Sequence, residues 1–168
     1  RAIRFNEQTV RTMGRNATGV RAMRIDEGDE VIGMVSVCNP EKDTVLVVSD
    51  QGYGKRSDVE DYRITNRGGK GVKTMNITDK TGKLVALKVV NDEDDLMIIN
   101  VSGITLRLHT SDIRVMGRAT QGVRLINLSK RGDTIASICR VPREDEENIN
   151  AETSEATTED SDQPENDN

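Results

Sequence analysis

Asn66-Arg67-Gly68-Gly69-Lys70-Gly71-Val72-Lys73 places three glycines among three cationic side chains. Glycine reaches backbone angles with φ > 0 and lets an outside group come close to bare amides, while Arg67, Lys70 and Lys73 surround those amides with positive charge. That combination suits a phosphate. A glycine-rich loop by itself equally describes a tight turn with solvated charges, so the reading depends on what recurs elsewhere in the chain.

The same pattern occurs twice more. Arg15, Arg67 and Arg118 lie 52 and 51 residues apart, and each is followed four residues later by glycine, at Gly19, Gly71 and Gly122. Val20, Val72 and Val123 come next, then a cation each time, Arg21, Lys73 and Arg124. Upstream, Val10-Arg11, Tyr62-Arg63 and Ile113-Arg114 keep the offset, as do Arg4, Arg56 and Arg107. Gly52 aligns with Gly103, each closing an apolar run, Val45 to Val48 and Leu96 to Ile99. Self-similarity at a period near 51 is the signature of a propeller or an array.

Working outward, the chain reads as short strands separated by turns. Alternating apolar and polar residues predict half-buried strands over Val20 to Ile25 and Val31 to Val37, with Glu27-Gly28-Asp29 as the turn between them. Val45 to Val48 follows, then the Asp50-Gln51-Gly52-Tyr53-Gly54 hairpin connection, left by Lys55 and Arg56. The second unit repeats this grammar with strands over 72–77, 84–90, 96–101 and 104–108, and the third with 123–128, a turn at 130–133 and a strand over 134–141. About four short strands per period and no amphipathic helix indicate propeller-like blades, fewer than three of them, with an exposed edge. The fold class is therefore all-β.

Charge divides the chain in two. Residues 142–168 hold eleven Asp and Glu, one cation, Arg143, and a single large aliphatic residue, Ile149, so this segment is expected to be a disordered acidic tail. Residues 1–141 hold 23 Lys and Arg against 18 Asp and Glu, so the body carries +5 and the tail −10. A basic body is compatible with a polyanionic partner. The tail is expected either to compete with that partner for the basic surface or to serve only as a solubilising terminus.

Trp is absent and Phe5, Tyr53 and Tyr62 are the only aromatics, which disfavours single-strand binding by base stacking. No apolar run approaches the roughly 20 residues of a membrane span and no signal peptide is seen, so a soluble intracellular protein is expected. The chain begins with Arg1, partway into a repeat, which reads as a fragment of something longer. Cys38 and Cys139 share nearly the same phase two periods apart and are expected to be free, buried thiols. One His and no CxxC pair give no metal-site spacing, and no nucleophile and base set recurs at reactive spacing, so no catalytic residue is expected here.

Arg67-Gly68-Gly69-Lys70-Gly71, together with Gly52-Tyr53-Gly54-Lys55-Arg56, Met116-Gly117-Arg118-Ala119-Thr120-Gln121-Gly122-Val123-Arg124 and the acidic tail, resembles the C-terminal domain of the DNA gyrase A protein. The resemblance covers essentially all of residues 1–141 and implies a β-pinwheel that wraps duplex DNA around a basic rim. It also implies a cytoplasmic, nucleoid-associated parent: an ATP-dependent type II topoisomerase that introduces negative supercoils as an A2B2 complex with the gyrase B protein. ATP and Mg2+ would be used in other domains, with no cofactor in this chain. The family's wrapping box has the form QRRGGKG and sits in the first blade. Here the match starts at Arg67 and, counted back from the tail, falls in the penultimate blade, so it is either that box or a repeat-derived relative, and the relative is expected. The family's DNA-cleaving tyrosine lies in another domain, so Tyr53 and Tyr62 read as core residues.

The resemblance and the repeat together nominate Arg15, Arg21, Arg67, Lys70, Lys73, Arg118 and Arg124, with Gly68, Gly69 and Gly71, as DNA-binding positions. Lys55, Arg56 and Arg107 are nominated beside them. Two alternatives stay open: the equivalent domain of topoisomerase IV, whose box is degenerate, and a propeller-type protein-interaction scaffold.

Overall fold

The computed structural model describes residues 1–128 and 132–143. The expected acidic tail from 144 onward, and Lys130 and Arg131 of the expected turn, lie outside the described residues. Strand β1 (Thr44–Ser49) and β2 (Tyr53–Asp58) form an antiparallel hairpin, closed where the Gly52 amide donates to the Ser49 carbonyl at 3.1 Å. Strand β3 (Leu84–Val90) arrives much later in sequence and pairs with the free edge of β1, while the two-residue β6 (Val123–Arg124) pairs with β2. The first sheet therefore runs β3-β1-β2-β6.

The second sheet repeats the first about 51 residues further on. Hairpin β4 (Asp94–Asn100) and β5 (Thr105–His109) receives β7 (Ile135–Pro142) on the free edge of β4, in the order β5-β4-β7. The pairing of the inner strand with the late strand slips at the same phase in both sheets, between Val48 and Ser49 and between Ile99 and Asn100. Each sheet is thus a hairpin plus a strand carried back from the following unit, which is why the two units cannot be separated along the chain. β7 also takes in Pro142, one residue beyond the boundary expected for the tail.

Packing explains the unbroken apolar run in β1. Leu46 and Val48 face a core with Ala86, Val90, Leu96, Ile98, Ile113, Leu128, Ile135 and Ile138, drawn from both sheets. Val45 and Val47 face the opposite way, into a second core with Tyr53, Val59, Tyr62 and Met75. A strand buried on both faces shows no alternation, as β1 does not.

Several expectations are corrected. Val20 to Ile25 and Val31 to Val37 form no strand, because among the described residues no strand lies beside them to take their backbone hydrogen bonds. Val31, Ile32 and Met34 stay exposed as a result. Residues 72–77 contribute one bridge, between Ala2 and Val72, and residues 123–128 shorten to β6. Cys38 and Cys139 are free but exposed rather than buried, since Cys38 lies in the unpaired segment and Cys139 on the uncovered side of β7.

Candidate nucleic-acid interface

The glycines of the loop are used by the protein itself. Val72 exchanges backbone hydrogen bonds with Ala2 at 2.9 and 2.7 Å, and one period later Val123 pairs with Gly54. Gly71 and Gly122 precede these valines with φ of +67° and +78°. A Cβ on Gly122 would lie 2.6 Å from the Gly54 carbonyl oxygen, and one on Gly71 would strike the Ala2 carbonyl. The close approach that the sequence reserves for an outside group is therefore filled by the backbone of the neighbouring unit. Gly68 likewise donates its amide to Ala22 at 2.6 Å, and the Gly69 carbonyl accepts from Arg24 at 2.8 Å. Gly68, Gly69 and Gly71 shape the loop, and the Gly68 amide is not bare.

The loop arginines string the three copies together. Arg67 donates from Nε to the Thr9 carbonyl at 3.2 Å and from Nη1 to the Arg21 carbonyl at 3.4 Å. One period on, Arg118 Nη1 donates to the Lys73 carbonyl at 2.8 Å, the same contact in the same phase. Both arginines are half-buried. The structure thus brings the three loops into succession, each arginine gripping the segment behind the previous loop.

Around this chain of contacts the other nominated cations are exposed. Arg15 and Arg21 have side chains that bond no other described residue. Lys70 faces Asp26 at 3.4 Å across an exposed pair, and Lys73 reaches Asn76 Oδ1 at 2.7 Å. Such exposed pairs are weak and exchange readily for another anion. Arg124 donates to the Tyr53 hydroxyl at 2.9 Å and lies over its ring, with Lys80 on the same ring at 5.6 Å. The hydrogen bond from Arg124 holds the Tyr53 hydroxyl below the usual phenol range. Sequence reasoning does not single out Lys80, because the Tyr53 ring that gathers it is distant in the chain.

Two nominated residues, Lys55 and Arg56, need correction. Lys55 is 0% exposed and donates its ammonium to the carbonyls of Gly117 and Arg118, so it ties β2 to the next loop and cannot reach a phosphate. Arg56 is 5% exposed, bonded from Nε to the Ile113 carbonyl at 2.8 Å and from Nη1 to Asp92 at 2.6 Å. Arg4 makes the equivalent contact one unit earlier, to the Tyr62 carbonyl at 3.2 Å. Arg107, in the same phase, turns to the buried Asp95 at 2.7 Å. His109 binds the other oxygen of Asp95 at 2.7 Å, and these partners, His109 foremost, hold that carboxyl below the usual carboxylate range. Lys55 and Arg56 are structural braces, while Arg107 is exposed and paired within its own hairpin.

A family model described as DNA gyrase C-terminal domain, beta-propeller, matches residues 1–38, 43–91 and 94–141. The chain belongs to that family. The DNA gyrase A protein of Staphylococcus aureus strain NCTC 8325 is 45% identical over 158 residues, covering 93% of this chain and 18% of the relative. The protein of the same name from strain MRSA252 is 46% identical over 158 residues, covering 94% of this chain and 18% of its own length. The chain thus spans under a fifth of the curated relatives it matches. Among solved structures, a DNA gyrase A C-terminal domain superposes with a TM-score of 0.74 at 27% identity, over 81% of this chain and 45% of the other. The C-terminal domain of a DNA topoisomerase IV superposes with a TM-score of 0.77 at 21% identity, over 92% of this chain and 47% of the other, which speaks to the fold alone. The all-β propeller expected from the repeat, and the gyrase-type β-pinwheel that the resemblance implied, are thereby shown.

Proposed function

We propose that this gyrase-type domain binds duplex DNA along the side that carries its three loops, without reading base sequence, and bends the duplex as the wrapping element of a type II topoisomerase. The observation that carries this reading is the repeated contact from Arg67 to the Arg21 carbonyl and from Arg118 to the Lys73 carbonyl, which sets exposed cations at successive positions. Cations so spaced meet phosphates, which position a duplex but carry no sequence information. Bending a site of 20–30 base pairs costs on the order of 1–6 kcal/mol, so contacts distributed over several units are needed to hold the curve.

Within the parent enzyme this domain would act beside the gyrase B protein in an A2B2 complex, in the cytoplasm, where ATP hydrolysis and strand cleavage belong to other domains. Its own residues hold the duplex in place and do no bond-making. The acidic tail, with its charge of −10, would compete with the duplex for the +5 body.

Fluorescence anisotropy with labelled duplexes of unrelated sequence tests the reading. The chain is expected to bind them equally, with affinity falling steeply in salt by about 0.9 per phosphate contact on the log–log scale. Charge reversal at the exposed pair, K70E/K73E, is expected to lower that slope by about 2. Binding that prefers one sequence strongly, or that ignores salt, overturns it.

A further inference from the structure

Four phases of the repeat hold a cation in all three copies: Arg4, Arg56 and Arg107; Arg11, Arg63 and Arg114; Arg15, Arg67 and Arg118; and Arg21, Lys73 and Arg124. In the first set Arg4 and Arg56 brace adjacent units, and Arg107 is paired with Asp95 across its own hairpin. The third spends two of its three guanidiniums on the preceding loop. In the fourth, Lys73 is bonded to Asn76 and Arg124 to Tyr53. The second set differs, since Arg11, Arg63 and Arg114 are all exposed and none of their side chains bonds another described residue.

Their backbone, by contrast, is held firmly. Each follows a three-residue 3-10 turn, Glu7–Thr9, Val59–Asp61 or Thr110–Asp112. The residue just before each arginine closes its turn, with the amides of Val10, Tyr62 and Ile113 donating to Glu7, Val59 and Thr110 at 2.8, 3.0 and 3.0 Å. Tyr62 and Ile113 are 4% and 2% exposed, so they plug the core directly beneath Arg63 and Arg114. On the far side, Ile64 and Val115 bridge to Arg4 and Arg56 of the preceding unit, with Thr65 and Met116 donating to the carbonyls of those arginines at 2.9 and 2.8 Å. An unpartnered arginine at every period, on a backbone closed by its 3-10 turn in all three copies and clamped on both sides at Arg63 and Arg114, presents a contact to something outside the chain.

The surroundings point to a phosphate. Arg63 and Lys70 line one cleft of about 240 Å³, shared with Thr65, Asn66 and Gly69, so this row adjoins the glycine loop. The turns also carry carboxylates, but Glu60 is paired with Arg4 at 3.3 Å and Asp61 accepts the Arg118 amide at 3.2 Å, so neither is spent on Arg63. A free guanidinium presents its donors in a planar fork that matches phosphate oxygens.

We infer that Arg11, Arg63 and Arg114 form a second row of phosphate contacts, one per repeat, that grips the duplex beside the loop cations. The inference rests on the DNA-binding reading above, and its test separates the two. Salt-dependent anisotropy with one random duplex is measured for the whole chain, for R11Q/R63Q/R114Q, for R11K/R63K/R114K, and for K42Q/K83Q/R143Q, which removes the same charge from exposed sites in other phases. The glutamine triple is expected to melt like the parent, because the three exposed side chains bond no other described residue, and to lose about 2.7 from the log–log salt slope, which is 0.9 for each of three contacts. The lysine triple keeps the slope, and the control triple changes it far less. A glutamine triple with the parental slope, or one no flatter than the control, overturns the row and leaves the domain's DNA binding standing. If the parent chain shows no salt-dependent binding, the DNA reading itself fails and the row falls with it.

Discussion

Lys55 places a full ammonium in a site with 0% exposure, where its Nζ donates to the carbonyls of Gly117 and Arg118. Burial is the main cause that lowers its pKa to about 8, with nearby Arg118 acting the same way and Asp61 opposing. A folded-state value below the unfolded 10.5 means that the unfolded chain binds more protons between those limits, so stability rises with pH from about 8 to 10.5 on account of this residue. Substituting Lys55→Met removes that dependence and the two charged hydrogen bonds, at a cost of about 1–3 kcal/mol, while the Gly117 carbonyl keeps the amide and hydroxyl of Thr120. Urea midpoints of the parent and of K55M across this window check it. The stability advantage of the parent should widen with pH, by no more than about 1.4 kcal/mol per pH unit. A gap that stays flat would place the proton on Lys55 throughout.

Between elements, the decisive junction is the one that sets a loop-closing glycine against the neighbouring hairpin. At Gly122 two demands coincide, a φ of +78° and a neighbouring carbonyl 2.6 Å from where a Cβ would stand, whereas Gly103 has a φ of +86° with open space around it. Gly122→Ala is expected to cost about 1–3 kcal/mol more than Gly103→Ala, which isolates the steric part. Equal costs in chemical denaturation would mean that β6 and β2 can separate without loss. The same junction shows what the sequence could convey. The repeat, the hairpins at Gly52 and Gly103 and the late strands Leu84–Val90 and Ile135–Pro142 were legible, because each is written in local alternation or in a glycine at a fixed offset. The failure of Val31 to Val37 was not, since alternation reports a face to bury and says nothing of whether a strand lies alongside. Nor could spacing tell Lys55 from Lys70. One cation is buried against carbonyls some sixty residues away and the other stays exposed beside Asp26, and only the meeting of two units separates them.

At the scale of the whole molecule, β1 makes the two sheets one structure, because Leu46 and Val48 belong to a core shared with β4 and β7 while Val45 and Val47 belong to the core that holds both tyrosines. Repeat proteins with only nearest-neighbour contacts can lose cooperativity along the array, but a central strand buried on both faces couples its two sides. The chain has no Trp, so tyrosine fluorescence reports Tyr53 and Tyr62 and hence the second core alone, while far-UV circular dichroism reports both sheets. Leu96 is 0% exposed in the other core and contributes nothing to the environment of either tyrosine. Leu96→Ala is expected to remove about 2–5 kcal/mol and to move the tyrosine transition in urea as far as the dichroism transition. If the tyrosine signal keeps its parental midpoint while the dichroism splits into two steps, the sheets unfold separately, and β1 serves as a boundary between two cores and does not couple them.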